Sequence, residues 1–222
     1  MTEDTFTSNA GGDGWTIFDD WDVNILSWYG KHCSNGELVY DSTTTMGAAS
    51  QWEWLYGSVW YLFIGRAFIP FDTSSLPTDI TISAATIKVR VTGKTGTGDT
   101  GLVQTTQDDP EDLVIADHQR CGTCPHIPAE GAPRMSNPTV NTYHTFSLNA
   151  TGKGWIVHDG SSFSKFGLRD EYDIDELSGG TAHSYQFNQI ATANHATSAY
   201  RPLLTVTYTI PTTAGKSQAH IF

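Results

Sequence analysis

Between Ile80 and Val91 the apolar residues fall on every second position. Ile80, Ile82 and Ala84 point one way and, after a slip at Ala85, Ile87, Val89 and Val91 resume the pattern. Thr81, Ser83, Thr86, Lys88 and Arg90 fill the alternate places. A period of two predicts a strand with one face on a core and the other in water. Just upstream, the run from Val59 to Phe71 is apolar on both faces, which predicts a central strand between two layers. A polar turn containing Pro77 joins the two strands.

Shorter strand patterns recur at Thr16–Phe18, Leu38–Tyr40, Leu102–Thr106, Tyr143–Leu148, Phe163–Leu168, Ser184–Ile190 and Leu203–Ile210. Asn35-Gly36 is a turn signal before the second of these. Asn149–His158 reads as a short helix with Asn149 as its N-cap, weakened by two glycines. About nine or ten short strands predict an all-β fold, an antiparallel β-sandwich of the jelly-roll type with long irregular loops. The longest irregular region, 107–141, holds five prolines from Pro110 to Pro138, and a loop of that length inside a compact domain is usually functional or tied down. Three parts follow: a Trp-rich segment 1–57 packed on the sandwich, the sandwich at 58–210, and a tail at 211–222.

Charge narrows the function classes. The 222 residues carry 24 acidic against 12 basic side chains, a net charge of −12. Phosphate backbones repel such a surface, so nucleic acid is not the expected partner. The N-terminal stretch has neither a basic nor an apolar signal-like region, and no apolar run reaches the ~20 residues a spanning helix needs. With no signal peptide visible, the expectation is a protein made in the cytosol, exported after signal removal, or released by lysis as part of a particle, with no membrane span.

Three side-chain groupings carry candidate chemistry. His118, Cys121, Cys124 and His126 share one loop, with Cys33 distant in sequence. Thiolates and imidazoles at this spacing can converge on a structural Zn²⁺, and the same cysteines can instead form a Cys121–Cys124 or Cys33–Cys121 disulfide or stay free thiols. Asp170, Asp173 and Asp175 follow a predicted strand and could gather oxygens around Ca²⁺, or form a solvated acidic loop. Six of the seven tryptophans lie in the first 60 residues. Among these aromatics Trp21, Trp28, Tyr29, Trp52 and Trp54 are the candidates to stack on sugar rings, while core or subunit-interface packing is the commoner use of such residues. No cofactor is required. No nucleophile elbow, zincin helix or complete P-loop occurs, so the expectation is a protein that is not an enzyme.

Three stretches together resemble a known family: RAFIPFDTSSLPTDITISAATIKV from Arg66, LNATGKGWIV with FSKFGLRDEYDID, and the closing YRPLLTVTY. The order is similar to the DNRLRE-type domain, a jelly-roll module related to carbohydrate-binding modules. An Arg and a Phe-Asp open its central strand, and the domain closes on an Arg-Pro-led strand. The resemblance spans about residues 58–209 and implies the scaffold more than any activity. Proteins with this pattern occur among secreted enzymes, cell-surface proteins and standalone phage products. With no fused catalytic domain and no signal peptide visible, the expectation is the phage structural kind. The leading expectation is thus a non-catalytic structural component of a virion or extracellular assembly, such as a capsid decoration, tail or appendage protein, working through self-association or other structural proteins. The alternative is a carbohydrate-binding or host-attachment module.

Overall fold

A computed structural model describes residues 1–21, 33–55, 59–124, 127–160, 162–175 and 183–211, with side chains left out at 21, 52–55, 59–60 and 183. The described chain is all-β and antiparallel. Its strands are β1 (Thr2–Thr7), β2 (Gly14–Trp21), β3 (Leu38–Tyr40), β4 (Thr45–Leu55), β5 (Val59–Asp72) and β6 (Thr81–Thr95). They continue as β7 (Thr100–Gln104), β8 (Tyr143–Ser147), β9 (Phe163–Asp170), β10 (His183–Ala191) and β11 (Leu203–Thr209). Hydrogen bonding runs in the order β1-β11-β6-β10-β4-β5-β2-β3, with β8 on β6, and β9 bridging β5 to β7. The sheet is open rather than closed into a barrel.

Strand β6 joins the two layers of the sandwich. Its first part pairs with β11 and β8, and its last residues pair with β10. The slip in its alternation is a real irregularity: Tyr208 opposes Ile82 and Thr207 opposes Ala84, leaving Ser83 as an extra residue. A bulge of this kind turns the following side chains over. Ala84 is consequently exposed, and Ala85, Ile87, Val89 and Val91 are buried.

The main core lies between these layers. Ile87, Val89 and Val91 with Leu204, Val206 and Phe146 face Ala67, Ile69 and Phe71 of β5 and Phe166 and Leu168 of β9. Phe71 and Phe166 meet edge to face at 6.1 Å. Full burial of each such side chain contributes about 1.5–3 kcal/mol.

Strand β5 is buried on its other face as well, as its uninterrupted apolar run predicts. There Phe68 joins Val103, Leu113, Cys121 and Ile174 in a second, smaller cluster. The cover is the long loop after β7, including the 3-10 turn Ile115–Arg120, together with the helical turn Glu171–Ile174. The loop is therefore a third layer on the sheet. Its placement positions the candidate site.

The short helix forms as Ala150–Gly154, and Asn149 caps it by accepting a hydrogen bond from the Gly152 amide at 2.9 Å. Strand β1 corresponds to no expected strand. Its six residues include a single large apolar side chain, Phe6, and it is held by pairing with β11. Strands β2, β3 and β4 hydrogen-bond in the same sheet as β5.

Candidate functional site: an ion-locked, cross-linked loop and its groove

Two arginines enter the layer beneath the long loop. Arg66 comes from the middle of β5 and Arg169 from β9, and both are essentially inaccessible to water. A single carboxylate, Asp173, lies between them. Arg66 donates from Nε and Nη2 to its two oxygens at 2.8 and 2.6 Å. Arg169 does the same at 2.7 and 2.8 Å, and also reaches the Asp173 carbonyl at 2.5 Å. The remaining donors hold the loop backbone: Arg66 Nη1 bonds the His118 carbonyl at 2.8 Å, and Arg169 Nη1 the Cys121 carbonyl at 3.4 Å.

Burial alone would push Asp173 toward its neutral form. The adjacent charges of Arg169 and Arg66 outweigh it and hold the carboxyl well below the usual range. Paired bidentate contacts of this kind are what make buried charge tolerable, and removing one member leaves an uncompensated ion.

The candidate zinc residues separate. Cys33 is bonded to Cys124, with 5.6 Å between their Cα atoms, and the bridge spans 91 residues. That is neither of the two pairings expected from the sequence. It ties the segment before β3 to the loop and removes two thiols from the set that could bind metal. Cys121 is free and fully buried, and its sulfur lies 3.6 Å from the Ala67 carbonyl. Desolvation pushes its thiol up to about 12, against the pull of Arg66 and Arg169, so it behaves as a packing residue. His118 is also buried, with Nδ1 2.9 Å from the Thr16 hydroxyl. His126 lies outside the described residues.

The candidate calcium carboxylates diverge too. Asp170 turns inward and accepts from the Ser50 hydroxyl and from the Tyr172 amide, capping the helical turn. Asp173 fills the arginine lock. Asp175 pairs with Arg134 at 2.5 Å, and Arg134 also grips Glu130 at 2.8 Å. The end of a strand followed by one helical turn sends neighbouring acids in different directions. Among the described residues no three His, Cys, Asp or Glu side chains are placed to share a metal ion.

Of the candidate sugar-stacking aromatics, Trp28 and Tyr29 lie outside the described residues. Trp21 ends β2 opposite Tyr61, and Trp52 and Trp54 lie on β4 opposite Leu62 and Trp60. These three are placed by backbone alone. A different tryptophan borders a groove. Trp155, just after the short helix, lines an open recess of about 360 Å³ with Gln104, Thr106, Gln119, Thr123 and Ala129. The ring is seated over Gly131, where a Cβ would come within 2.3 Å of it, and it packs on Phe166 at 6.1 Å. Gly122, at φ +80°, and Cys124 complete the wall. The disulfide and the arginine lock therefore shape one side of this groove.

The polar groups presented there are amides and hydroxyls, and among the described residues neither a carboxylate nor an imidazole lines it. Arg66, Arg169 and Trp155 were not singled out from the sequence as site residues. The available signal was an arginine inside an otherwise apolar strand, which has to find a buried partner.

No family model matches this chain. A search of curated proteins likewise finds no match.

Proposed function

We propose that this chain is a non-catalytic β-sandwich building block of an extracellular or virion assembly, acting through association of its own copies. The observation that carries the reading is the double anchoring of the long loop. A disulfide and a buried arginine–carboxylate–arginine lock pin it to the sheet. A disulfide suits an oxidising setting outside the cytosol. The resemblance of residues 58–209 to DNRLRE-type modules supports the same scaffold role.

Static light scattering on the full chain over a wide concentration range tests it. The expected result is a mass that rises with concentration. A strict monomer throughout would overturn the reading.

The Trp155 groove favours a second reading, glycan binding. An indole beside amides and hydroxyls offers a stacking face and neutral hydrogen-bond partners to a sugar ring. Trp155→Ala should then abolish retention on a glycan array, read on protein verified as folded, because losing the packing on Phe166 also lowers the melting temperature. An array with no binding by the unmodified chain would end this reading.

A further inference from the structure

The outer face of the layer formed by β6, β8 and β11 carries a cationic patch on a strongly acidic protein. The alternation of β6 turns Lys88 and Arg90 outward while Ile87 and Val89 face the core. Tyr143 stands opposite Arg90 on β8. Lys88 Nζ sits 4.2 Å from the centre of the Tyr143 ring. The Arg90 guanidinium is held between two rings, 5.0 Å from Tyr143 and 4.7 Å from Tyr200. His195 packs on Tyr200 at 5.0 Å, and Arg201 follows, bonded through Nε to the His195 carbonyl at 3.0 Å.

Charge sets this patch apart. Arg66 and Arg169 are buried, Arg120 is matched with Asp108, and Arg134 with Glu130 and Asp175, while Lys94, Lys153 and Lys165 each bond a neutral oxygen, of Asn137, Ser83 and Gln107. Among the described residues neither Lys88 nor Arg90 meets a carboxylate. Arg90 Nε is buried against the rings and makes no hydrogen bond. Tyrosine and arginine held rigidly together are the residues that anchor protein interfaces.

The complementary surface lies elsewhere on the same chain. The loop after β7 presents Asp108, Asp109, Glu111 and Asp112, all exposed, in five residues. Beside it an open recess of about 560 Å³ is bordered by Asp108 and Asp159, by Lys165, whose Nζ donates to the Gln107 carbonyl, and by Val157 and Phe163. The patch is on the outer face of the β6–β8–β11 layer, whereas Leu113, next to the loop, packs on the other face of β5. Building on the assembly reading, we propose that the Lys88–Arg90–Tyr143–Tyr200 patch docks the acidic 108–112 loop of a second copy, head to tail. Such a heterologous contact extends into rings or open chains. It also weakens with salt, because both faces are exposed charge.

Sedimentation velocity on the full chain in about 50 mM and about 500 mM NaCl tests this, since the Debye length shortens several-fold between them. The unmodified chain should associate in low salt and dissociate in high salt. Lys88→Glu with Arg90→Glu should be monomeric, as should Asp109→Lys with Asp112→Lys. An equimolar mixture of the two variants should associate again, because the unaltered loop of one meets the unaltered patch of the other and the two reversed faces are also of opposite charge. Lys88→Glu alone, which leaves the Tyr143–Arg90–Tyr200 stack in place, serves if the double variant does not fold.

If the unmodified chain associates and the patch variants associate equally well, the docking surface is wrong and the assembly reading stands. If the unmodified chain is monomeric at every concentration, both fall. If it is monomeric but binds a heparin column through Lys88 and Arg90, the patch belongs to an anionic polysaccharide and the self-docking is overturned.

Discussion

Burial pushes the carboxyls of Asp13 and Asp170 up to about 7. Asp13 accepts from the Ser8 hydroxyl at 3.1 Å and the Ala193 amide at 2.5 Å, fastening the turn before β2 to the segment after β10. One oxygen of each acid, Asp13 Oδ1 and Asp170 Oδ2, is buried without a hydrogen bond. In the unfolded chain both titrate near the ordinary value of about 3.9. Folding therefore favours their neutral forms. The cost of ionising them is fully present above about pH 7 and is relieved as pH falls toward 4. Asp173 has the opposite sign: its stabilisation is full above about pH 4 and is lost as pH falls further. Burial also lowers the half-buried His144, which offsets part of the gain below about pH 6.5. The net expectation is a melting temperature that rises from pH 8 to a maximum near pH 4–5, then drops. Asp13→Asn with Asp170→Asn should flatten the rise, which is worth on the order of a few kcal/mol. A melting temperature that stays level or falls between pH 8 and pH 5 in the unmodified chain would contradict this account.

At the scale of the element, the long loop holds most of what is distinctive. The chain-entropy view assigns a bridge closing 91 residues a substantial effect on the unfolded state. Cys33→Ser is expected to cost about 2–4 kcal/mol, read as a lower urea midpoint, and reductant should produce the same shift in the unmodified chain. Cys121→Ala should leave the sensitivity to reductant intact, since Cys121 is outside the bridge. A midpoint unmoved by reductant would show that the bridge does not support the fold. Period and capping made several elements legible in advance. The alternation of β6, its slip at Ala85, the doubly buried run of β5 and the Asn149 cap all have local causes. The loop was not legible because its structure is set by distant partners. Nothing near Cys124 indicates Cys33, and nothing near Asp173 indicates Arg66. Strand β1 escaped for a related reason, since TEDTFT becomes a strand only through the ladder that β11 offers it.

Across the whole molecule, the net charge of −12 conceals an uneven distribution. Among the described cations, Arg66 and Arg169 sit in the buried lock, and Arg120 and Arg134 pair with surface acids. Lys94, Lys153 and Lys165 bond neutral oxygens, and Lys88 and Arg90 gather on the tyrosines. The sequence exposes the totals and the outward alternation of Lys88 and Arg90. It does not expose that Tyr200, more than a hundred residues later, closes on the same guanidinium. Of the residues read from sequence neighbours, Cys33 and Cys124 form a disulfide, while Cys121, His118, Asp170, Asp173 and Asp175 each take a separate contact. The groove and the patch are both assembled from residues far apart in the chain.

The pairing of β1 with β11 also has a mechanical meaning. Thr2 lies opposite Tyr208 and Thr7 opposite Leu203, so the first and last strands leave the fold side by side at one end. Tension drawn through those two ends would load the ladder's hydrogen bonds one pair at a time, as a zipper opens, rather than all together in shear. A chain tethered by both strand ends would part easily at this seam. One gripped across its faces would transmit force through the β5–β6 sandwich and keep its shape.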